Sequence, residues 1–190
     1  MSVRRVVLIS RRFWPLLGGA ESVMANLGEE LVRQGIEVTL LTARFDRRWP
    51  TEVTHRGMKV VRLFQPQTRW WGTWCYMRAV ARWLQENRER FDLVYVSMFK
   101  HDAYAAVGVG KKLGFPVAIR AEGAGLTGDM HWQLGAVGGR RIKRRCFEAA
   151  AFIAPSLMIH REIVAAGYPR GRIHYLPNGV ALPAEEETSQ

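Results

Sequence analysis

Apolar residues in this chain come as short continuous runs separated by stretches of helical period. Val6-Val7-Leu8-Ile9-Ser10 is unbroken and β-branched, the pattern of a strand covered on both faces. Beyond Gly18-Gly19, the stretch from Ala20 to Gln34 places Val23, Leu27 and Leu31 four apart, and Gly35 follows as a stop, which predicts a helix. The alternation repeats. Further strands are predicted at 36–41, 58–64, 93–97, 116–120, 152–154 and 172–176, and helices at 74–87, 103–113, 140–150 and 157–166. Pro50 and Gly57 punctuate the loop between the second and third strands. Strands linked by helical stretches need right-handed crossovers, so the expected fold class is α/β: a doubly wound, mostly parallel sheet of about seven strands with helices on both faces. Gly123 to Gly139 is left as the one long irregular stretch, and a loop of that length in a compact domain points to function.

Composition narrows the classes. With 190 residues, 48% of them apolar and 24% charged, the chain builds a real core, which excludes a disordered or low-complexity protein. The apolar run after Met1-Ser2-Val3-Arg4-Arg5 is too short for a signal-peptide core or a bilayer span, and a cytoplasmic protein is expected. Cys75 and Cys146 form no CxxC pair, so neither a disulfide scaffold nor a zinc site is suggested, and both are expected reduced and buried. No metal site is expected elsewhere. The net charge of +11 points to anionic partners, against the plainer reading of a merely basic surface.

Open parallel sheets bind ligands beyond the carboxyl ends of their strands, which limits the candidates. After the first strand, Gly18 and Gly19 allow close backbone approach, and the helix N-terminus beyond them can cradle a phosphate or sugar hydroxyls. The plainer alternative is a tight turn with Glu21 favouring the helix dipole. After the fourth strand stands His101, able to donate, accept or act as a base, beside Asp102, which also fits as a helix cap. After the fifth strand, Arg120 and Glu122 lead into Gly123-Ala124-Gly125-Leu126-Thr127-Gly128, which spells a dinucleotide fingerprint. That motif belongs in the first βαβ unit with a helix opening inside it, so the dinucleotide reading is disfavoured. Gly108-Val109-Gly110 reads as a close packing contact within a helix.

Two basic clusters remain. One is Arg140, Arg141, Lys143, Arg144 and Arg145; the other mixes Arg69, Trp70, Trp71, Arg78, Arg82 and Trp83. Tryptophans beside arginines suit an anionic membrane surface or a lipid headgroup, and an unpartnered exposed helix face is the plainer alternative. Such residues also suit single-stranded nucleic acid, but no helix-turn-helix, zinc finger or RNP motif accompanies them, which weighs against that partner.

Taken in order, these residues resemble the amino-terminal domain of family 4 (group 1) glycosyltransferases of the GT-B fold, over nearly the whole chain. The resemblance is carried by Gly18-Gly19-Ala20-Glu21 opening the first helix and by Gly35-Ile36-Glu37-Val38-Thr39-Leu40-Leu41-Thr42. It is carried equally by Pro116 to Glu122, by Ala154-Pro155-Ser156 and by Ile173-His174-Tyr175-Leu176-Pro177-Asn178-Gly179-Val180. It implies one Rossmann-like half, residues 1–183 with an acidic tail at 184–190, of an enzyme that moves sugar from a nucleotide-sugar to an acceptor with retention of configuration. By the same resemblance, the half seen here holds a glycan or lipid-linked acceptor, and a donor-binding domain, absent from this chain, holds the nucleotide. The family's E-x7-E signature has no counterpart in context; Glu21 and Glu29 match its spacing only by accident. The resemblance further implies substrate contacts from Gly18, Gly19, Glu21, Arg120 and Asn178, with His101 and Glu122 as catalytic candidates facing the acceptor. Where the family commonly has a histidine at the end of the fifth strand, Glu122 stands, and a carboxylate does not inherit an imidazole's part. The membrane or anion patch would comprise Arg69, Trp70, Trp71, Arg82, Arg141, Arg144 and Arg145, placing the protein at the inner membrane face. No bound cofactor is expected, the nucleotide-sugar being a co-substrate, and an exposed interdomain face predicts self-association. A non-catalytic glycan- or polyanion-binding module is the alternative, with a nucleotide-binding Rossmann protein behind it.

Overall fold

The computed structural model describes residues 3–179, with residue 69 described through its backbone only. Eight strands form one sheet: β1 (Arg5–Ile9), β2 (Glu37–Arg44), β3 (Glu52–His55), β4 (Met58–Phe64), β5 (Leu93–Ser97), β6 (Val117–Arg120), β7 (Ala151–Ala154) and β8 (Ile173–Tyr175). Their order is β3-β4-β2-β1-β5-β6-β7-β8, parallel throughout except for the β3–β4 pair. Six helices connect them: α1 (Gly19–Arg33), α2 (Arg69–Glu86), α3 (His101–Leu113), α4 (Asp129–Gly135), α5 (Gly139–Cys146) and α6 (Leu157–Ala165).

The central strand is buried on both sides, as its continuous apolar run requires. Val7 and Ile9 point to one face and Val6 and Leu8 to the other, and Leu8 and Ile9 are wholly buried. Each such side chain contributes about 1.5–3 kcal/mol relative to exposure. The two faces are unequally covered. α1 alone packs on Val6, Leu8, Val38, Leu40 and Val60 through Met24 and Ala25, while α2 to α6 all contribute to the larger core on the opposite side. The cause is topological. The β1–β2 crossover steps one way along the sheet and the later crossovers step the other way, so right-handedness sends their helices to opposite faces. The link from β2 to β4 runs through an edge hairpin with no helix.

That hairpin corrects the expected count of seven strands. Glu52–His55 pairs antiparallel with Met58–Phe64 around Arg56 and Gly57, both at positive φ (49° and 77°), the geometry of a two-residue I′ turn. Arg-Gly is a poor sequence signal for that turn, so the strand reads as loop. The irregular stretch 123–139 likewise holds a short 3-10 turn at Gly125–Thr127 and the helix α4. α2 begins at Arg69 rather than 74, because its first turns leave Trp70, Trp71 and Trp74 exposed and show no apolar period. Cys146 is buried as expected, whereas Cys75 is only half-buried; both are free. α1 ends as expected: the Ile36 N–H donates to the Leu31 carbonyl and the Gly35 N–H to that of Val32, a Schellman ending with Gly35 at φ 79°. Gly110 sits against β6, where an added Cβ would lie 2.8 Å from Val117, so the packing reading of the Gly108–Gly110 run holds. The tail expected at 184–190 and the last residues of the expected domain lie outside the described residues.

Candidate functional site

The sheet changes winding direction between β1 and β5, which opens a crevice beyond their carboxyl ends. On the β1 side, Gly18 precedes α1 in an extended conformation with no side-chain cap. A Cβ built on Gly18 would lie 2.3 Å from a Glu21 carboxylate oxygen, so Glu21 folds back over the turn, where Arg12 Nε stands 3.5 Å from it. Nothing lies within 4 Å of a Cβ on Gly19. The turn is therefore open at Gly19 and roofed by a carboxylate at Gly18. Arg11 is held from α2's end of the crevice: its Nε donates to Gln65 Oε1 (2.9 Å), its Nη2 donates to Thr73 Oγ1 (3.0 Å), and its guanidinium lies 5.7 Å from the Tyr76 ring centre.

On the β5 side, Met98 takes a positive φ of 73°, a conformation that costs a non-glycine residue about 1 kcal/mol or more. His101 opens α3 with its ring edge-on to Trp132 at 5.2 Å and no hydrogen bond to any described residue. Burial lowers its pKa, helped by the cations Arg11 and Lys100, so the imidazole is neutral at pH 7 and keeps an acceptor nitrogen. Asp102 is not the helix cap its position suggested. The cap position belongs to Lys100, and Asp102 is buried one residue inside the helix. Burial raises its carboxyl to about 6, against the pull of Arg11 and Lys100. The hydroxyl of Tyr76, fully buried, has no hydrogen-bond partner, and burial together with Asp102 pushes its pKa well above 10.

The end of β6 is built differently. Glu122 forms a buried ion pair with Arg120 Nη1 and accepts a hydrogen bond from Ser97 Oγ at 2.7 Å. Arg120 Nη2 donates to Asn178 Oδ1 at 2.5 Å, which ties the chain beyond β8 to β6. Asp129 is buried and receives two backbone donors, the N–H of Phe99 (3.1 Å) and that of Glu122 (2.8 Å). Gln133 donates to the Phe99 carbonyl (2.9 Å) and accepts from the Tyr168 hydroxyl (3.0 Å). Burial raises the pKa of Glu122 against Arg120 and Ser97, and that of Asp129 against the backbone donors and Lys100. The fold thus brings Arg120, Glu122 and Asn178 together in one network and sets His101, Gly18, Gly19 and Glu21 around the neighbouring crevice.

Asp129, Tyr76 and Arg11 were not singled out from sequence as site residues. For Asp129 the available signal is an acidic residue directly after Gly128, where a helix can start; Arg11 follows the carboxyl end of the first strand, and Tyr76 carries no signal. The Gly123–Gly128 spelling has a local cause, because a Cβ on Gly128 would lie 2.8 Å from the Ala124 backbone, and the run holds a 3-10 turn but opens no α-helix. The two basic clusters occupy different helices, with α3 packed between α2 and α5. On α2, Trp70 and Trp71 are exposed, Trp71 stacks on Trp74 at 4.8 Å, and Arg78 lies over Trp74; the Arg69 side chain is outside the described set. Arg82 is exposed further along α2. Among the described residues no group of three or more His, Cys, Asp or Glu side chains is placed to hold a metal, and no helix is long and apolar enough to cross a membrane.

The sequence model of glycosyltransferase family 4 matches residues 17–182. The chain belongs to that family. No curated protein sequence matches it. Among solved structures, sucrose-phosphate synthase from Thermosynechococcus elongatus is similar at 15% identity and a TM-score of 0.69, covering 92% of this chain and 48% of its own. Anabaena HepE in complex with UDP and glucose is similar at 14% identity and a TM-score of 0.67, covering 93% and 45%. UDP-N-acetylglucosamine 2-epimerase from Rickettsia bellii is similar at 11% identity and a TM-score of 0.60, covering 93% and 45%. At such identities the likeness shows the fold alone, and two different chemistries share it. This family 4 glycosyltransferase domain spans about half the length of these three proteins.

Proposed function

We propose that this domain is the acceptor-binding half of a retaining glycosyltransferase and is inactive without a donor-binding domain that carries the nucleotide-sugar. The observation that carries the reading is the crevice between β1 and β5. A neutral imidazole with no hydrogen-bond partner, His101, follows β5 on one side of it, and a helix N-terminus without a side-chain cap, at Gly18-Gly19, follows β1 on the other. Family membership and the match to half of longer glycosyltransferases support it.

In this reading an acceptor hydroxyl hydrogen-bonds to His101 and is aimed at the anomeric carbon of the donor. The new C–O bond forms on the face from which the bond to the diphosphate oxygen breaks, through an oxocarbenium-like state, and the hydroxyl proton ends on the departing diphosphate. Free N–H groups at the start of α1 favour the charge on that diphosphate. Glu122, whose oxygens face Arg120 and Ser97, acts as a positioning residue through Arg120 and Asn178.

Calorimetric titration of this chain against a panel of acceptor glycans, nucleotide diphosphates and nucleotide-sugars tests the proposal. Acceptor binding that is weakened in His101→Ala, with no tight nucleotide binding, is expected. Tight nucleotide binding by this chain alone would overturn the assignment of halves.

A further inference from the structure

The segment from Gly125 to Arg145 leaves apolar side chains in solvent next to a dense run of cations. Leu126, Leu134 and Val137 are 82%, 76% and 78% exposed. Single exposed leucines are ordinary on a protein surface, but these are grouped. Leu126 and Leu134, with Met130, Ala165 and Ala166, line a groove of about 500 Å3 between α4 and α6, and Lys143 reaches the same groove.

α5 supplies the charge. It buries Ile142 and Cys146 and turns Arg140, Arg141 and Arg144 to solvent. Arg141 and Arg145 lie over the Tyr104 ring at 5.8 and 4.9 Å, and with Arg144 and Glu148 they line a hollow of about 300 Å3, room enough for a phosphate group. Glu148 is the one acidic side chain lining that hollow, and it is already engaged by Lys111 at 2.6 Å and Arg145 at 3.6 Å. Arg140, Arg141, Lys143 and Arg144 form no ion pair with a described residue. Unbalanced cations beside a solvent-facing apolar groove complement an amphiphile with phosphate at its polar end. A polyanion such as RNA would meet the cations but find no use for Leu134 and Val137.

We propose that the α4–α5 surface docks this domain on an anionic lipid bilayer, with Leu134 and Val137 entering the interface and Arg140, Arg141 and Arg144 meeting lipid phosphates. The docking surface stands apart from the acceptor reading of the crevice, and each can fail without the other.

Co-sedimentation of the full chain with vesicles decides it. Binding is expected to phosphatidylcholine vesicles carrying about one-third phosphatidylglycerol, to be absent with pure phosphatidylcholine, and to weaken as salt is raised. Leu134→Glu/Val137→Glu and Arg140→Glu/Arg144→Glu are each expected to lower the partition coefficient about tenfold or more, since each cation near the surface and each inserted apolar side chain adds to binding. All four side chains are exposed, so both variants should melt like the parent. Failure to bind anionic vesicles, or binding that survives both double substitutions, would overturn the proposal. So would single-stranded RNA that binds as tightly as the vesicles and is indifferent to the Leu134/Val137 change.

Discussion

The end of β6 and the crevice between β1 and β5 lie side by side on one edge of the sheet, yet they treat their polar groups in opposite ways. At β6, each carboxylate has named partners: Glu122 holds Arg120 and Ser97, Asp129 caps two backbone N–H groups, and Asn178 closes the network from the far end of the sheet. At the crevice, the His101 imidazole is unpartnered, the Tyr76 hydroxyl is unpartnered, α1 lacks a side-chain cap, and Met98 holds a left-handed backbone. At β6 the carboxylates are already engaged and only Arg120 Nη1, paired by charge with Glu122, lacks a hydrogen bond; at the crevice the half-buried His101 and the open turn at Gly19 are within a ligand's reach, whereas the Tyr76 hydroxyl is sealed in the core. The end of β6 is thus built as scaffold, and the crevice is where the proposed recognition would take place.

The comparison can be broken most easily at its scaffold half. Asp129→Ala strands the Phe99 and Glu122 N–H groups and should cost about 3–5 kcal/mol in urea unfolding. Arg120→Met leaves Glu122 as an uncompensated buried charge and should cost about 3 kcal/mol, most of it regained in Arg120→Met/Glu122→Leu; a double substitution no better than the single one would show that the pair does not act as a unit.

The crevice half responds to pH. Burial raises Asp102 from its ordinary 3.8 to about 6. A carboxyl with a raised folded pKa holds more protons in the folded state, so stability should fall between about pH 4 and pH 6, by on the order of 2–3 kcal/mol. Asp102→Asn should remove its share of that slope and leave the part due to Glu122 and Asp129, whose carboxyls burial also raises. Asp46, Asp92 and Glu30 are held at about 2 by Arg48, Arg5 and Arg33. Their contribution is present above their unfolded values and is lost only as pH falls toward 2, which keeps the two windows apart.

Smaller effects sharpen the contrast. His101→Ala should weaken acceptor binding about tenfold while changing stability by less than about 1 kcal/mol, because it removes one edge-on ring contact and no hydrogen bond. Met98→Gly should raise stability by about 0.5 kcal/mol, the relief of left-handed strain slightly exceeding glycine's entropy cost, as a thermal melt would register.

The strand cores were legible because each bears a continuous apolar run, and β1 at Arg5–Ile9 matches its predicted place within a residue at each end. The α1 ending was legible because Gly35 is where a left-handed residue is needed. β3 was not, since four residues of mixed polarity around an Arg-Gly turn carry little local signal and find their place only by pairing with β4. In the site, Gly18, Gly19 and His101 could be named because they follow strand ends. That Glu122 is ion-paired while His101 is free could not be read, because it depends on which strands are neighbours: Ser97 and Arg120 stand opposite each other only once β5 pairs with β6.

Local pattern by itself therefore determined the class of fold, the edge of the sheet where chemistry belongs, and the residue types present there, since hydrophobic period and turn chemistry act over a few residues. Tertiary structure alone decided which of those residues are spent on one another and which stay free. Burial, pairing and pKa depend on groups far apart in the chain: the Arg120–Asn178 contact spans 58 positions and that between Phe99 and Asp129 spans 30, distances over which no local pattern carries information.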